Sequence, residues 1–390
     1  MTTSRADTRS TSHFAGLNTA RFVAAMLVLF AHGEAIRANR GLPSFSDLSI
    51  FHNGVMAVSF FFVLSGFLIT TVLLREYDRN GKISVALFYQ RRAMRILPLY
   101  VLLVMLGIGV IPAMLPLLGI STVLPYEPWT MAGWYVIMMP FVVNIYHDVF
   151  VIGPLWSIGV EEWYYLAVAP LMNTFIKYIG FVFTGVILIK LVLLTLVDTQ
   201  VINGAFAGFT TILSFENMAA GGLAALAVRR GKAFSERQSR QTSGMLLLPF
   251  LLYTAYGVIA LRVFAQGWLS QTIPVVHSIT ESYTALALLD MLVFSFVIYC
   301  IALRPPSFRG VVGRWSEKLG EFSYGIYMYH NIIAFALSYG LFSMWIKLDR
   351  VVGSALYHLL LSSITIATAW LSHQSFEKYF LGKQRRPEKA

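Results

Sequence analysis

A basic residue and a histidine near the N-terminus are separated by ten almost wholly apolar residues. Arg21 and His32 enclose the run FVAAMLVLFA, which has the composition of a membrane helix. On an α-helix this spacing puts both side chains on one face, roughly 16 Å apart. Ionisable groups in a membrane span usually face a protein interior. The pattern predicts a fixed cation and a titratable imidazole at two depths, unless Arg21 reaches the headgroups and His32 ends the helix.

Three arginines form a second group, in the segment FYQRRAMRILPLY. Arg91, Arg92 and Arg95 lie beside aromatic and apolar residues, and Pro98 follows them. Residues three or four apart share a helix face, and forked guanidinium groups suit phosphate. The segment therefore predicts a phosphate site, with an anchor on anionic lipid as the alternative.

Two adjacent carboxylates open an apolar helix in the segment PLWSIGVEEWYYL. Glu161 and Glu162 follow Trp156 and precede three aromatic residues. Adjacent helical residues point about 100° apart, so at most one of the two needs to enter a cavity. We expect a functional role for these acids, and helix-dipole stabilisation is the alternative.

Several other polar residues lie inside apolar runs. Ser65 is a candidate nucleophile, although with Gly66 it more simply permits close helix packing. Tyr327 and His330 share a helix face. They are either catalytic residues or a polar cluster whose members form hydrogen bonds with one another between helices. Lys190 lies midway along an apolar run, where it either snorkels or pairs with an acid such as Asp198.

The composition indicates an integral membrane protein. Of 390 residues, 57% are hydrophobic and only 13% are charged, against about 25% in soluble domains. Repeated apolar runs near the roughly 20 residues that cross a bilayer, with Gly and Pro inside them, favour helices over a barrel. The lone Cys300 excludes an internal disulfide and a thiol metal cluster, and no metal-ligand spacing is found.

The distribution of basic residues predicts the topology. The candidate spans are roughly 16–36, 54–74, 97–117, 156–176, 179–198, 210–228, 244–261, 283–303, 322–345 and 352–374. With the N-terminus inside, 23 Lys and Arg residues are cytoplasmic and 5 are outside. We therefore expect about ten transmembrane helices with both termini cytoplasmic. The net charge of +11 then reflects the orientation of the chain in the membrane rather than nucleic-acid binding.

These spans divide the chain into a cytoplasmic tail at 1–15, a membrane domain at 16–376 and a basic cytoplasmic tail at 377–390. No small-residue cleavage site follows the first apolar run, so we expect an uncleaved first span.

The segment 131–147 looks like an eleventh span. A crossing there would place the basic loop at 229–240 outside. Pro140 and many aromatic or β-branched residues also make a regular helix less stable. We expect a short re-entrant or interfacial segment. Its backbone N–H and C=O groups would have to form hydrogen bonds with other parts of the protein or with water in a cavity.

In combination, these motifs resemble the acyltransferase-3 family of membrane O-acyltransferases. The resemblance rests on the basic-x10-His pattern, FFVLSGFLI, FYQRRAMRILPLY, PLWSIGVEEWYYL and SYGIYMYH, in that order along nearly the whole chain. It implies transfer of an acyl group, usually acetyl from acetyl-CoA, to a hydroxyl of a surface or secreted glycan or glycolipid. Trp163 departs from the family, which commonly has Gln there, and this leaves the acceptor contacts open.

The resemblance also implies roles for individual residues. His32 matches the essential histidine and Arg21 its motif partner, while Arg92 and Arg95 match the arginine pair associated with the acyl donor. The candidate catalytic residues are His32, Arg21, Glu161 and Glu162; the candidate donor-binding residues are Arg91, Arg92 and Arg95; the candidate substrate-binding residues are Ser65, Trp156, Tyr327 and His330. No metal is expected. The esterase-like extension of the family is not found in the 390 residues, so we expect the chemistry to finish within the membrane domain.

The expected mechanism uses His32 as general base or as transient acyl carrier. Arg21, or Ser65 with backbone N–H groups, would stabilise the oxyanion, and Glu161 or Glu162 would balance an imidazolium. The expected location is a bacterial cytoplasmic (inner) membrane.

A multi-span transporter or flippase for a glycan or a small anion is the competing class. Arg21, Glu161, Lys190 and Asp290 would then be substrate or coupling groups. The absence of a repeat of two halves argues against it. The acceptor, the acyl chain and the oligomeric state are left open by the sequence, as is the side from which the acceptor enters.

Overall fold

The computed structural model describes residues 16–117, 127–147, 151–234, 281–303, 311–342 and 348–383. All the regular elements within these ranges are helices, as the sequence predicts. Seven helical stretches there are long and apolar enough to cross a membrane. The protein is thus a helical, multi-pass membrane protein. Ten crossings and cytoplasmic termini stay predictions, and the candidate span 244–261 lies outside the described residues.

The helices are numbered in chain order. They are α1 (Leu17–Asn39), α2 (Gly54–Asn80), α3 (Val85–Val104), α4 (Ile111–Leu117), α5 (Pro128–Val136), α6 (Pro140–Tyr146), α7 (Leu155–Phe175), α8 (Ile179–Asp198), α9 (Gly204–Ile212), α10 (Phe215–Phe234), α11 (Tyr283–Leu303), α12 (Val311–Glu321), α13 (Ser323–Ala336), α14 (Arg350–Ser372) and α15 (Lys378–Lys383). A π-helical segment joins α3 to α4, and a 3-10 turn at Ile176–Tyr178 separates α7 from α8.

The segment 131–147 is divided between two short helices. α5 has 9 residues and α6 has 7, and each has a proline at its start. Between them Met138 has a positive φ of 58°, a left-handed conformation that ends the first helix. Neither helix is long enough to cross a bilayer, which agrees with an irregular segment rather than an eleventh span. Its depth in the membrane stays a prediction.

Lys190 pairs with an acid from a neighbouring helix. Its Nζ lies 3.5 Å from a carboxylate oxygen of Glu216 on α10 and donates a hydrogen bond to the carbonyl of Thr210. Asp198 instead accepts from the Ser282 hydroxyl and from backbone N–H groups at the start of α11. The predicted Lys190–Asp198 pair is therefore wrong, because eight residues along one helix separate the groups by roughly 12 Å.

Glycines bring α2 and α10 into close backbone contact. A Cβ added at Gly66 would collide with the carbonyl of Met218, and one at Gly221 would collide with the carbonyl of Val63. This is the close packing that the sequence predicts for both glycines. It holds one face of α2 against α10, and a different face of α2 lines the cavity described below.

We expect Gly66→Ala to destabilise the protein. The added methyl group has no space beside Met218, so the free energy of unfolding should fall by about 1–3 kcal/mol. Thermal unfolding of the purified protein in detergent measures the loss. Gly109→Ala is the matched control, because a Cβ at that membrane glycine meets no atom within 4 Å. Equal stability of the two variants would contradict the close approach of α2 and α10.

Candidate functional site

A cavity of about 550 Å³ lies between α1, α2, α3, α7 and α13. The helix α2 contributes one continuous stripe of side chains, with residues three or four positions apart on one helix face. The stripe consists of Val58, Phe61, Phe62, Leu64, Ser65, Leu68, Ile69, Val72, Arg75, Glu76, Arg79 and Asn80. From Val58 to Asn80 it extends roughly 33 Å along the helix axis. The cavity is therefore long and narrow, and it follows α2 through the membrane domain.

Six arginines among the described residues line this cavity, against two glutamates. The arginines are Arg21, Arg75, Arg79, Arg91, Arg92 and Arg95, and the glutamates are Glu76 and Glu161. The structure thus brings together all three arginines of the predicted phosphate site, and it adds Arg21 to them. Such an excess of positive charge suits a ligand with several negative charges.

The arginines lie at two levels. At the end of the cavity that the sequence predicts to be cytoplasmic, Arg91 lies 4.0 Å from a carboxylate oxygen of Glu76. Farther in, the Arg92 guanidinium lies 5.6 Å from the ring centre of Tyr165. Arg21 interacts electrostatically with Glu161 and with the deeper arginines. The deeper level is thus an arginine cluster, with Glu161 as the carboxylate that also lines the cavity there.

A chain of hydrogen bonds orients that carboxylate. The Tyr165 hydroxyl donates to Glu161 Oε2 over 2.7 Å, and the Ser65 hydroxyl contacts the Tyr165 hydroxyl. Because Tyr165 has a single proton, which Glu161 receives, Ser65 is the donor to Tyr165. Ser65 therefore serves to position the tyrosine, and its hydroxyl also lies within reach of the Glu161 carboxylate.

Two predicted site residues lie away from the cavity. Glu162 does not line it, and its buried Oε1 has no hydrogen-bond partner within the described residues. Trp156 packs its ring edge-on against Phe62, with ring centres 5.8 Å apart, and is also absent from the lining. As expected for adjacent helical residues, only one of the two acids, Glu161, faces the cavity. The catalytic role of Glu162 and the substrate contact of Trp156 stay predictions.

His32 of α1 forms a pair with His330 of α13. His32 Nδ1 lies 2.8 Å from His330 Nε2, and the rings are nearly parallel. His330 Nδ1 lies 2.6 Å from the carbonyl oxygen of Tyr327, which can only accept a hydrogen bond, so this nitrogen carries a proton. In neutral His330 the Nε2 atom is then an acceptor, and His32 must donate to it from Nδ1. His32 Nε2 is left with a free lone pair.

Tyr327 connects the cavity with the histidine pair. Its side chain lines the inner end of the cavity, where its hydroxyl contacts the Ser157 hydroxyl at 2.8 Å. Its carbonyl accepts from His330. Neither histidine lines the cavity; His330 is fully buried, whereas His32 is partly exposed. The histidine pair thus lies one layer of side chains beyond the cavity.

A buried ionic cluster fixes the outer half of α1. Glu34, which is fully buried, accepts from the Ser354 hydroxyl at 2.7 Å and contacts His358 Nε2 at 2.8 Å. It also accepts from the backbone N–H of Phe45 at 2.5 Å, and buried Arg37 binds the carbonyl of Gly353. His358 therefore has the structural role that a lone histidine suggests. Because Glu34 follows His32 by two residues, the cluster fixes the part of α1 that carries the imidazole.

Sequence reasoning did not identify several cavity residues. Arg75 and Arg79 were explained by membrane orientation alone, and Ser157, Tyr165 and Tyr324 were not candidates. A signal was present in the periodicity of α2, since Ser65, Val72 and Arg79 lie seven residues apart on one face. That spacing does not show which helices face it.

Comparisons with known proteins give a consistent result. Residues 14–373 match the profile of the acyltransferase-3 family, described as an acyltransferase domain. The chain is 33% identical over 163 residues to a Staphylococcus aureus (strain COL) protein named "Putative O-acetyltransferase SACOL0978", covering 39% of this chain and 26% of that protein. It is 34% identical over 136 residues to O-acetyltransferase OatA of Staphylococcus aureus (strain NCTC 8325 / PS 47), covering 32% of this chain and 21% of the relative.

These alignments thus span about a quarter of the relatives' length. No solved structure matches the chain.

We expect Tyr165→Phe to lower stability more than Tyr164→Phe. The first change removes the hydrogen bond to the Glu161 carboxylate, which is worth about 1.5–3 kcal/mol. The Tyr164 hydroxyl is buried with no hydrogen-bond partner among the described residues, so its removal should cost little or stabilise the protein. Thermal unfolding in detergent compares the two variants. A larger loss for Tyr164→Phe would contradict the orientation of Glu161 by Tyr165.

Proposed function

The chain belongs to the acyltransferase-3 family, and from this premise we propose that it is a membrane O-acetyltransferase. It moves an acetyl group from acetyl-CoA to a hydroxyl of a glycan or glycolipid acceptor, in the bacterial cytoplasmic membrane. The observation that carries this proposal is the long arginine-lined cavity, which ends one side-chain layer from a histidine with a free Nε2.

The cavity suits the acyl donor. CoA has phosphates at one end, a flexible pantetheine arm and a thioester at the other end, and the cavity has arginines at one end and aromatic side chains at the other. Its volume of about 550 Å³ lies within the usual range of ligand sites. With the phosphates on Arg92 and Arg95, the pantetheine arm occupies the inner part of the cavity, which Phe61 and Tyr327 line.

Arg21 has a role in donor binding rather than at the reacting carbonyl. Its guanidinium group is attracted by Glu161 and repelled by Arg92 and Arg95, so it lies close to the other arginines of the cavity. Its Cα lies roughly 16 Å from that of His32 along α1, and Arg21 lines the cavity whereas His32 does not. The hydroxyls of Ser157 and Tyr327 lie 2.8 Å apart at the inner end of the cavity, and both can donate to the carbonyl of Pro154. When the thioester is bound, one of these hydroxyls turns to the carbonyl oxygen and stabilises the oxyanion.

His32 provides the base. Its Nε2 takes the proton of the acceptor hydroxyl as that oxygen attacks the thioester carbonyl. The carbon–sulfur bond then breaks, and the CoA thiolate receives the proton from the imidazolium. An acetyl-His32 intermediate requires the same free Nε2, since the acetyl group would be bonded to that atom.

His330 stabilises the charge that develops on His32. When Nε2 is protonated, the hydrogen bond from His32 Nδ1 to His330 becomes charge-assisted and therefore stronger. The sequence suggested Glu161 or Glu162 for this task. The described contacts place Glu161 with Tyr165 and favour His330 as the partner of His32.

The acceptor and the donor reach the reaction centre from opposite ends. The donor cavity opens among the arginines at the predicted cytoplasmic side, whereas His32 is partly exposed without lining that cavity. A hydroxyl from the outer side therefore meets the thioester at the layer formed by Tyr327. A transporter has less support, since only two of its four predicted coupling groups, Arg21 and Glu161, line the cavity, whereas Lys190 and Asp290 do not.

We expect His32→Ala to abolish turnover and to leave donor binding intact. Loss of a general base costs about 10²–10⁴-fold in rate, whereas the arginines that bind CoA are unchanged. CoA release from acetyl-CoA and the dissociation constant of acetyl-CoA are measured on purified protein in nanodiscs. His52→Ala is the control, because His52 is bonded to the carbonyl of Ser46 in an exposed loop. Full activity of His32→Ala would contradict the proposed function.

Variants of His330 test its positioning role. We expect His330→Leu to lower kcat by about 10–100-fold with an unchanged dissociation constant for acetyl-CoA, because His32 loses the partner that sets its tautomer. His330→Gln retains an acceptor for His32 Nδ1–H and should recover part of kcat. Equal loss in both variants would show that His330 acts only through packing.

A further inference from the structure

The arginines of α2 form a distinct part of the donor cavity. Arg75 and Arg79 lie one helical turn apart on the stripe that continues from Ser65. Arg75 is half-buried in the wall and Arg79 is exposed at the mouth. Both line the same cavity as the deeper cluster, so a ligand on that cluster extends past them on its way to solvent.

The mouth and the deeper cluster are separated along the cavity. Arg75 lies ten residues beyond Ser65 on α2, so their Cα atoms are roughly 15 Å apart. The two phosphate groups of CoA are on one ribose and lie closer than this, so the long arginine side chains of the two levels have to reach toward each other. Ser65 is at the level of Tyr165, over which Arg92 packs. Arg91 is beside Glu76, and hence at the level of Arg75. Arg91 and Arg92 follow each other on α3, and thus Arg91 lies at the mouth and Arg92 lies deeper in the cavity.

The two levels match two groups of negative charge in one molecule. CoA has a diphosphate that links pantetheine to the nucleoside, and a separate phosphate on the 3′ position of the ribose. The diphosphate is nearer the thioester, and the 3′-phosphate is at the far end beside adenine. A donor that enters thioester first therefore leaves its 3′-phosphate at the mouth.

The mouth of the cavity also has a surface that suits the adenine ring of CoA. Val72 and Leu87 line the cavity next to the arginines, and 37% and 38% of their surfaces are exposed. Exposed apolar side chains between cationic groups suit a flat aromatic ring attached to a phosphate. Asn80 adds an amide at the same end of α2.

We propose that Arg75 and Arg79 bind the 3′-phosphate of the CoA ribose, while Arg21, Arg92 and Arg95 bind the diphosphate. This inference rests on the proposed function and divides its donor site into two phosphate subsites. It makes the protein selective for CoA thioesters over thioesters that lack the 3′-phosphate. The competing source of the same chemistry is the phosphate of an anionic lipid headgroup.

The test compares the affinities of acetyl-CoA and acetyl-3′-dephospho-CoA, measured by calorimetry in nanodiscs of uncharged phosphatidylcholine lipid. The wild type should bind acetyl-CoA about tenfold or more tightly, because a charged phosphate contact is lost in the other compound. Arg75→Gln/Arg79→Gln should weaken acetyl-CoA binding to the level of the dephospho compound. Unchanged binding of the dephospho compound would show that this variant is folded.

Two further variants sharpen the comparison. Arg92→Gln should weaken both compounds by the same factor, because both keep the diphosphate. Lys82→Gln removes an exposed cationic side chain just beyond α2 that does not line the cavity, and should change neither affinity.

The outcomes separate this inference from the proposed function. Equal binding of both compounds by the wild type, with continued release of CoA, would overturn the 3′-phosphate subsite and leave the acetyltransferase intact. A preference for acetyl-CoA that persists in Arg75→Gln/Arg79→Gln would also overturn it, and tighter binding of the wild type than of this variant to vesicles of anionic lipid would then assign those arginines to lipid headgroups. Failure of the wild type to bind either compound would overturn both proposals.

Discussion

The free-energy cost of holding charge inside a bilayer is the constraint on which this structure depends. Each ionised group at membrane depth must pair with another group or face a polar cavity. Glu34 satisfies the constraint with His358 and Ser354, and Lys190 satisfies it with Glu216. The arginines satisfy it by facing a shared cavity in which few carboxylates balance them. The acyl donor that we propose is an anion, and it would add negative charge to this group of arginines.

Close packing of α2 makes this cavity available. Gly66 and Gly221 let the backbones of α2 and α10 touch, and this fixes the rotation of α2 about its axis. Because this rotation is fixed, the stripe from Val58 to Asn80 faces the cavity. The helix then presents apolar residues and Ser65 to the inner part of the cavity, and Arg75 and Arg79 to its other end.

The histidine pair sets the tautomer of the proposed catalytic base. A carbonyl that can only accept fixes the proton on His330, and His330 in turn fixes the proton on His32. The tautomer of the base is therefore set by the backbone of α13, before any substrate arrives. Because Tyr327 supplies that carbonyl and also lines the cavity, a donor that displaces its side chain would act directly on the helix that orients the base.

The sequence by itself determined the properties that depend on one helix at a time. Composition specified a helical membrane protein, the eleven-residue spacing put Arg21 and His32 on one face of α1, and adjacency required that only one of Glu161 and Glu162 face the cavity. Only the tertiary structure decided which groups meet across helices. It paired Lys190 with Glu216 rather than Asp198, and it paired His32 with a histidine 298 residues away. The physical reason is that spacing fixes the angle between side chains on one helix, whereas the rotation and depth of neighbouring helices follow from packing throughout the bundle.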